Sequence, residues 1–220
     1  MNSFTNSLLI FFTIPLLFLS IYIGLDVQIN FLHISGSSLP YQEHIFLGFA
    51  VIYFVLLAWR SVRRWMGMFI VNKADRFKWN KVVSSVRLKR IILYTFLEAT
   101  IMSCIGLAIN ELTGVYHPPA IVLFAFSLEN IVFLMVGSRN KFRVCISSKA
   151  VIVADREVTI GYFSGLRQVT LGTESIYFDY IKNLQLSFPT DCIDEEHIDS
   201  FRSSVKSMID RDRVFVRNKY

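Results

Sequence analysis

The chain has 220 residues, 53% of them apolar and 20 of them phenylalanine, with a formal net charge of +6. The charge is confined to part of the chain, since residues 1–25 contain no Asp, Glu, Lys or Arg, whereas residues 138–220 hold 13 basic and 11 acidic residues. This distribution excludes a uniformly basic nucleic-acid-binding protein and indicates a membrane region followed by a polar domain.

The first long apolar run covers residues 8–25 and is interrupted only by Thr13, Pro15 and Ser20. About 20 apolar residues are needed to cross the ~30 Å hydrocarbon layer of a bilayer. The N-terminus lacks the basic segment and the small-residue cleavage site of a signal peptide. We therefore expect a retained first transmembrane helix.

Three more apolar runs complete a predicted all-α membrane region over residues 1–138, at residues 41–59, 91–110 and 118–137. The run at 41–59 is the shortest, and it spans if residues 41–44 lie among the headgroups and Arg60 extends its side chain to the surface. The last run starts at a Pro-Pro pair, which the first turn of a helix tolerates.

The loops orient the four spans. Residues 60–90, read as a cytoplasmic loop, carry ten Lys or Arg, and residues 26–44 and 111–117 carry none. All 23 basic residues then lie on one side of the membrane, which by the positive-inside rule is the cytoplasm. We expect a multi-pass protein of a bacterial-type inner membrane with both termini in the cytoplasm.

The basic loop has a membrane explanation, because residues 61–71 mix arginine with large apolar side chains, as in a helix lying at the bilayer surface. We expect no nucleic-acid partner. The residues predicted to contact anionic lipid are Arg60, Arg63, Arg64, Lys73, Arg87, Lys89 and Arg90.

Two acidic residues fall inside the spans. Glu98 and Glu129 both lie about 12–15 Å from the cytoplasmic boundary, at ~1.5 Å per residue. Because their helices are joined by a short loop, the two carboxylates could meet. They form either a proton- or cation-binding site or a pair of protonated groups that hydrogen-bond between helices. Beside Glu98, small side chains that favour close helix packing recur at Thr95, Ala99, Ser103 and Gly106.

Other chemistry finds little support in the sequence. His33, His44 and His117 share the far side of the membrane, but their spacing matches no metal signature. The three cysteines, Cys104, Cys145 and Cys192, form no CxxC pair. We found no catalytic motif, and we expect no metal, no cofactor and no enzymatic activity.

Residues 139–220 change to a strand pattern. Runs rich in β-branched and aromatic residues predict strands at 141–147, 150–155, 157–163, 166–171, 175–180 and 183–188. Apolar residues then recur at helical spacing, which predicts an amphipathic helix over about 194–209. The expected domain is a small cytosolic antiparallel β structure with a C-terminal helix.

The segments FSGLRQVTL and IYFDY, the later LQLSFP and the charged helix resemble the bacterial pleckstrin-homology-like domains, including the YcxB-like type, over about residues 141–210. Members of that family commonly have two membrane helices before the domain, whereas this chain has four predicted spans. The resemblance implies a binding or regulatory module beside the bilayer and supplies no catalytic residues.

Three functions remain open from the sequence, and the third of them, an intramembrane or lipid-modifying enzyme, has no supporting motif. One is a membrane-embedded sensor or effector whose cytosolic module binds a protein or a small molecule, in a homo-oligomer embedded in the lipid bilayer. The alternative is a small channel or transporter that uses Glu98 and Glu129.

Overall fold

The structure is a computed structural model that describes residues 2–29, 34–114, 117–181, 184–209 and 214–218. Its helices are α1 (Asn2–Gly24), α2 (Gln42–Val71), α3 (Ser85–Thr113), α4 (Pro118–Gly137) and α5 (Glu195–Met208). Its strands are β1 (Gln28–Ile29), β2 (Ile34–Ser35), β3 (Trp79–Val82), β4 (Arg143–Ile146), β5 (Ala150–Ala154), β6 (Val158–Tyr162), β7 (Leu166–Leu171), β8 (Ser175–Tyr180), β9 (Gln185–Pro189) and β10 (Phe215–Asn218).

Helices α1 to α4 are each long and apolar enough to cross a membrane, which agrees with a multi-pass membrane protein. The bounds of α4 match the predicted span 118–137 at both ends. Helix α2 continues 12 residues beyond the predicted end of its span, and α3 begins six residues before its own. Hydropathy predicts the length of the apolar segment and not the length of the helix. Both helices extend beyond their apolar segments, where no proline interrupts them.

These longer helices correct the description of residues 60–90 as a loop. Residues 61–71, predicted as a separate helix at the bilayer surface, are the last part of α2. The remainder of the segment contains a short 3₁₀ turn at Ala74–Arg76 and the strand β3.

The chain forms two compact units. The first, which we call the helical unit, comprises Met1–Val62 and Thr95–Phe133. All four long helices contribute to its core, whose buried side chains are Leu16, Phe46, Tyr53, Leu57, Met102, Ile109, Ala120 and Leu123.

Close packing and one polar contact join α1 to its neighbours within the helical unit. Thr13 Oγ1 and Tyr53 Oη form a hydrogen bond of 2.7 Å between α1 and α2. A Cβ atom placed on Gly24 would lie 2.1 Å from the backbone oxygen of Leu112 in α3. The two backbones can approach this closely only because Gly24 has no side chain.

The second unit, which we call the β-rich unit, comprises Arg63–Tyr94 and Leu134–Tyr220. One sheet has the order β3-β4-β5-β6 and is antiparallel throughout. The other has the order β10-β7-β8-β9, in which β7, β8 and β9 are antiparallel and β10 lies parallel to β7.

The six strands predicted in residues 141–188 are all present and antiparallel, as β4 to β9. The sequence did not predict β3, whose Trp79 pairs with Ile146 of β4. In chain order α3 and α4 stand between these two paired strands. The β-rich unit therefore includes residues 63–94, whereas the predicted domain began at 139.

Helix α5 packs in the β-rich unit through its apolar face. Phe201 and Val205 are fully buried, and the Phe201 ring lies 5.2 Å from the Trp79 ring, edge to face. Trp79 Nε1 also donates a hydrogen bond of 3.0 Å to Ser200 Oγ. The strand missed by the sequence thus forms part of the surface on which α5 packs.

Candidate functional site

In the helical unit, Glu98 is paired with an arginine. Both terminal guanidinium nitrogens of Arg60 in α2 donate to the two carboxylate oxygens of Glu98 in α3, with the second contact at 2.7 Å. The side chains are 13% and 21% exposed. A two-pronged pair of this kind is among the stronger polar contacts in proteins. The sequence analysis predicts Arg60 as a contact for anionic lipid and does not connect it with Glu98.

Glu129 of α4 is bound by Ser61, the residue that follows Arg60 in α2. Ser61 Oγ donates a hydrogen bond of 2.8 Å to Glu129 Oε1 in α4. Glu129 lies eight residues before the end of α4, or about 12 Å along the helix axis. Two consecutive residues of α2 therefore bind Glu98 of α3 and Glu129 of α4.

Polar and small side chains continue this contact between α3 and α4. Ser127 Oγ donates to the backbone oxygen of Ala99 and is bonded to Ser103 Oγ, both at 2.8 Å. A Cβ atom on Gly106 would lie 3.3 Å from the Phe124 ring. Thr95, Ala99 and Ser127 are buried. The small-residue stripe of α3 thus lies where α4 packs.

The seven basic residues proposed for lipid contact have different surroundings. Lys73, Lys89 and Arg90 are exposed, and the Lys73 ammonium lies 4.5 Å from the centre of the Phe69 ring. Arg63 and Arg87 are half-buried. Arg64 is only 4% exposed, so its side chain lies almost wholly inside the protein.

The β-rich unit contains a cavity of about 270 Å³ that the sequence did not reveal. One face of α3 lines it over consecutive turns, and the residues on that face are Arg87, Arg90, Ile91 and Tyr94. The segment between β5 and β6, residues 155–157, and the end of β9 form the other walls. We call it the arginine cavity.

Fixed charges of both signs surround the arginine cavity. Of the lining residues, Arg87 binds Asp155, with Nε and Nη2 at 2.9 and 2.5 Å from Oδ2. Arg90, also on the wall, binds Asp191, which does not line the cavity. Arg156 lies 3.8 Å from Glu157 and places its guanidinium 5.7 Å from the centre of the Tyr94 ring.

The cysteine that lines this cavity is buried. Cys192 lines its wall, and burial raises the pKa of its thiol to about 12. Burial likewise raises the pKa of Cys145 to about 12. Such thiols stay protonated at neutral pH and are poor nucleophiles.

Among the described residues, no group of three or more His, Cys, Asp or Glu side chains could hold a metal ion. His33, one of the three far-side histidines, lies outside the described residues. His117 lies in the helical unit against Phe46, with 4.5 Å between the ring centres.

Comparison of the chain with protein-family models, with curated proteins and with solved structures gives no match.

Proposed function

We propose that this chain is a multi-pass membrane protein whose β-rich unit is a cytosolic binding and regulatory module, without enzymatic activity. The observation that carries the proposal is the pairing of β3 with β4. Strand β3 is the connection between the candidate spans α2 and α3. In this proposal, a change of the module's sheet reaches both helices through the backbone.

The order of elements supports a pleckstrin-homology-like module. Four antiparallel strands (β3–β6) are followed by three more (β7–β9) and then by α5. In this proposal β3 is the first strand of the domain, and the hairpin of α3 and α4 is inserted after it. The basic residues of 60–90 and 139–219 support a cytoplasmic location of this unit and of both termini in a bacterial-type inner membrane.

Asn80 of β3 forms hydrogen bonds both to the end of α2 and to β4. Its Nδ2 donates to the backbone oxygen of Val71 at the end of α2, at 2.9 Å. Its Oδ1 accepts a hydrogen bond of 2.6 Å from Arg143 Nε in β4. One side chain on β3 thus binds the end of α2 to the neighbouring strand.

Hydrogen exchange of the full chain in lipid nanodiscs tests this coupling. Asn80→Ala removes both bonds, each worth about 1 kcal/mol, so we expect roughly fivefold or greater acceleration of exchange in residues 57–62. The matched control is Gln168→Ala, which removes a single amide bond to Thr170 within β7. If exchange in residues 57–62 is unchanged in Asn80→Ala, the proposed coupling is wrong. The β-rich unit would then be a membrane-anchored domain without a regulatory effect on α2.

A channel or transporter is the second candidate, and the partly buried polar side chains that α2, α3 and α4 bring into contact favour it. They are Arg60, Ser61, Glu98, Ser103, Ser127 and Glu129. Proton flux into liposomes, measured with an enclosed dye, distinguishes the two. Flux that Glu129→Gln abolishes and Glu111→Gln leaves intact supports transport, and equal flux in both variants and empty liposomes excludes it.

A further inference from the structure

Exposed apolar side chains gather at one end of the β-rich unit. Ile181 and Leu184 belong to the turn between β8 and β9, and they are 62% and 57% exposed. Tyr162 at the end of β6 and Phe215 at the start of β10 are 55% and 68% exposed. All four lie outside the candidate membrane spans, so lipid around the spans does not account for their exposure. Exposed apolar groups that cluster in this way mark interaction sites.

Backbone hydrogen bonds hold the loops at this end side by side. The N–H of Ile181 donates to the backbone oxygen of Gly165 at 3.1 Å, which joins the β8–β9 turn to the loop between β6 and β7. The N–H of Phe163 donates to the backbone oxygen of Lys149 at 2.8 Å, which adds the turn between β4 and β5. The three connections therefore form one surface, which we call the loop surface. It comprises residues 147–149, 162–167, 180–184 and Phe215.

A groove of about 510 Å³ lies in the loop surface. Its walls include the apolar side chains of Leu184 and Phe215 and the exposed side chain of Arg167. Asp179 is the acidic residue in the groove, and its Oδ1 accepts a hydrogen bond of 2.7 Å from Gln185 Nε2. The groove thus offers a partner both apolar contact and a guanidinium group.

The two ends of the strands carry opposite charge. The loops of the loop surface contain three basic residues and no acidic residue, and the basic residues are Lys149, Arg167 and Lys182. The segments at the opposite ends of the same strands contain seven acidic residues and one basic residue, and these segments are 155–157, 172–174 and 190–196. Acidic groups are therefore attracted to the loop surface and repelled by the opposite end.

The loop surface lies at the ends of β6 and β9 that are away from α3. The start of β6 and the end of β9 line the arginine cavity together with α3, next to the apolar run at residues 91–97. Each strand has five residues, so at about 3.3 Å per residue its other end is about 13 Å away. A partner in the cytosol therefore reaches the loop surface more readily than the bilayer that α3 enters.

We propose that the loop surface binds an acidic segment of a soluble protein that also carries apolar side chains. The carboxylates of this segment approach Arg167 and Lys149. Its apolar side chains cover Ile181, Leu184 and Phe215. Ile181 and Leu184 offer no ring on which a nucleobase could stack, so the surface suits a peptide better than a single-stranded nucleic acid. The inference deepens the proposed function by naming a partner class for the binding module, and it rests on that proposal.

Fluorescence anisotropy with the full chain in phosphatidylcholine nanodiscs provides the test. The probes are three labelled peptides of equal length, in which leucine and phenylalanine alternate with glutamate, glutamine or lysine. We expect the glutamate peptide to bind about fivefold or more tightly than the glutamine peptide, the equivalent of one favourable exposed ion pair. The lysine peptide should bind most weakly.

Two variants with matched controls locate the site. Leu184→Ser removes an apolar wall of the groove and should weaken binding of the glutamate peptide about fivefold, whereas Val86→Ser, at an exposed site on α3, should not. Arg167→Gln should reduce the preference for glutamate over glutamine, whereas Arg139→Gln, at another exposed arginine, should preserve it. All four side chains are exposed, so the melting temperatures should stay unchanged.

Equal binding of the three peptides, no binding of the glutamate peptide, or equal effects of a variant and its control overturns the inference. Competition tests the class of partner. If phosphatidylglycerol vesicles or oligouridylate displace the glutamate peptide as effectively as unlabelled peptide does, the surface binds lipid or RNA and the inference is wrong. The exchange experiment on Asn80→Ala uses no peptide, so it decides the proposed coupling separately.

Discussion

Arg60 in α2 binds Glu98 in α3 through two parallel hydrogen bonds, within helices that are apolar enough to span a membrane. A lone carboxylate at this depth would cost at least about 2.5 kcal/mol on insertion scales. The pair avoids most of that cost because each charge neutralises the other. It therefore fixes α2 against α3.

The first prediction concerns this ion pair. Glu98→Gln removes the carboxylate that both terminal nitrogens of Arg60 bind, and loss of one partner of a buried pair costs about 3–5 kcal/mol. Since the two side chains are partly exposed, we expect the lower end of this range. The measurement is the unfolding free energy in detergent micelles.

The double variant Arg60→Leu with Glu98→Leu removes both charges and should recover most of the lost stability. Glu111→Gln, at the exposed far end of α3, is the matched control and should leave the stability unchanged. A double variant less stable than Glu98→Gln would contradict the assignment of the loss to an uncompensated charge.

The second prediction compares two glycines of the helical unit. Gly24→Ala places a methyl group against the backbone of Leu112, which cannot move aside as a side chain can, so we expect a loss of about 1–3 kcal/mol. Gly48→Ala has no atom within 4 Å of the added carbon, and it should gain up to about 1 kcal/mol from helix propensity. Equal melting temperatures of the two variants would disprove the close contact of α1 and α3.

Much of the fold could be predicted because its signals are local. Pro118 and Gly137 bracket one apolar run, so both ends of α4 were correct. Strands β4 to β9 are runs rich in β-branched and aromatic residues, and turn residues separate them. Both signals can be read from the local sequence. The four residues of β3 lie in a basic stretch, and their partners in β4 are more than 60 positions away. Such a pairing leaves no local signal.

The candidate sites were predicted in part. Their acidic members Glu98 and Glu129 were identified because charges inside an apolar run are conspicuous. Arg60 was assigned to the bilayer surface because the positive-inside rule predicts only the orientation of the spans. It cannot predict that Arg60 binds Glu98, which lies 38 residues further along the chain. The arginine cavity was missed entirely, since its walls come from three distant segments of the chain.

The third prediction concerns orientation. In a chain with its three cysteines replaced by alanine, Ser37→Cys and Glu174→Cys each introduce one exposed thiol. If the β-rich unit is cytosolic, a membrane-impermeant maleimide labels Ser37→Cys in intact cells. The same reagent labels Glu174→Cys only in inverted vesicles. The opposite labelling pattern would reverse the orientation.

The fourth prediction concerns β3 in the β-rich unit. Trp79→Phe keeps an aromatic ring against Phe201 and loses the hydrogen bond to Ser200, so we expect a cost of about 1 kcal/mol. Trp79→Ala also empties a buried site and should cost about 3–5 kcal/mol. Trp59→Phe, on a side chain that is 59% exposed, should have no effect. An equally small loss in Trp79→Ala would argue against a packed β3.

The last prediction follows from the buried thiols of Cys145 and Cys192, whose pKa values burial raises from the ordinary value of 9.0 to about 12. The folded protein keeps these protons at a pH where the unfolded chain has released them. The unfolding free energy should therefore fall as the pH rises from about 9 towards 12, and the contribution is fully present below about pH 9.

The measurement compares the unfolding free energy at about pH 8 and about pH 10. Cys145→Ala combined with Cys192→Ala should show a smaller decrease than the unaltered chain, and Cys104→Ala, at an exposed position, should match the unaltered chain. Iodoacetamide should modify Cys145 and Cys192 only after unfolding, because a protonated buried thiol is neither nucleophilic nor accessible. Rapid modification of either thiol in the folded protein would show that the sheet of β3 to β6 or the wall of the arginine cavity opens readily.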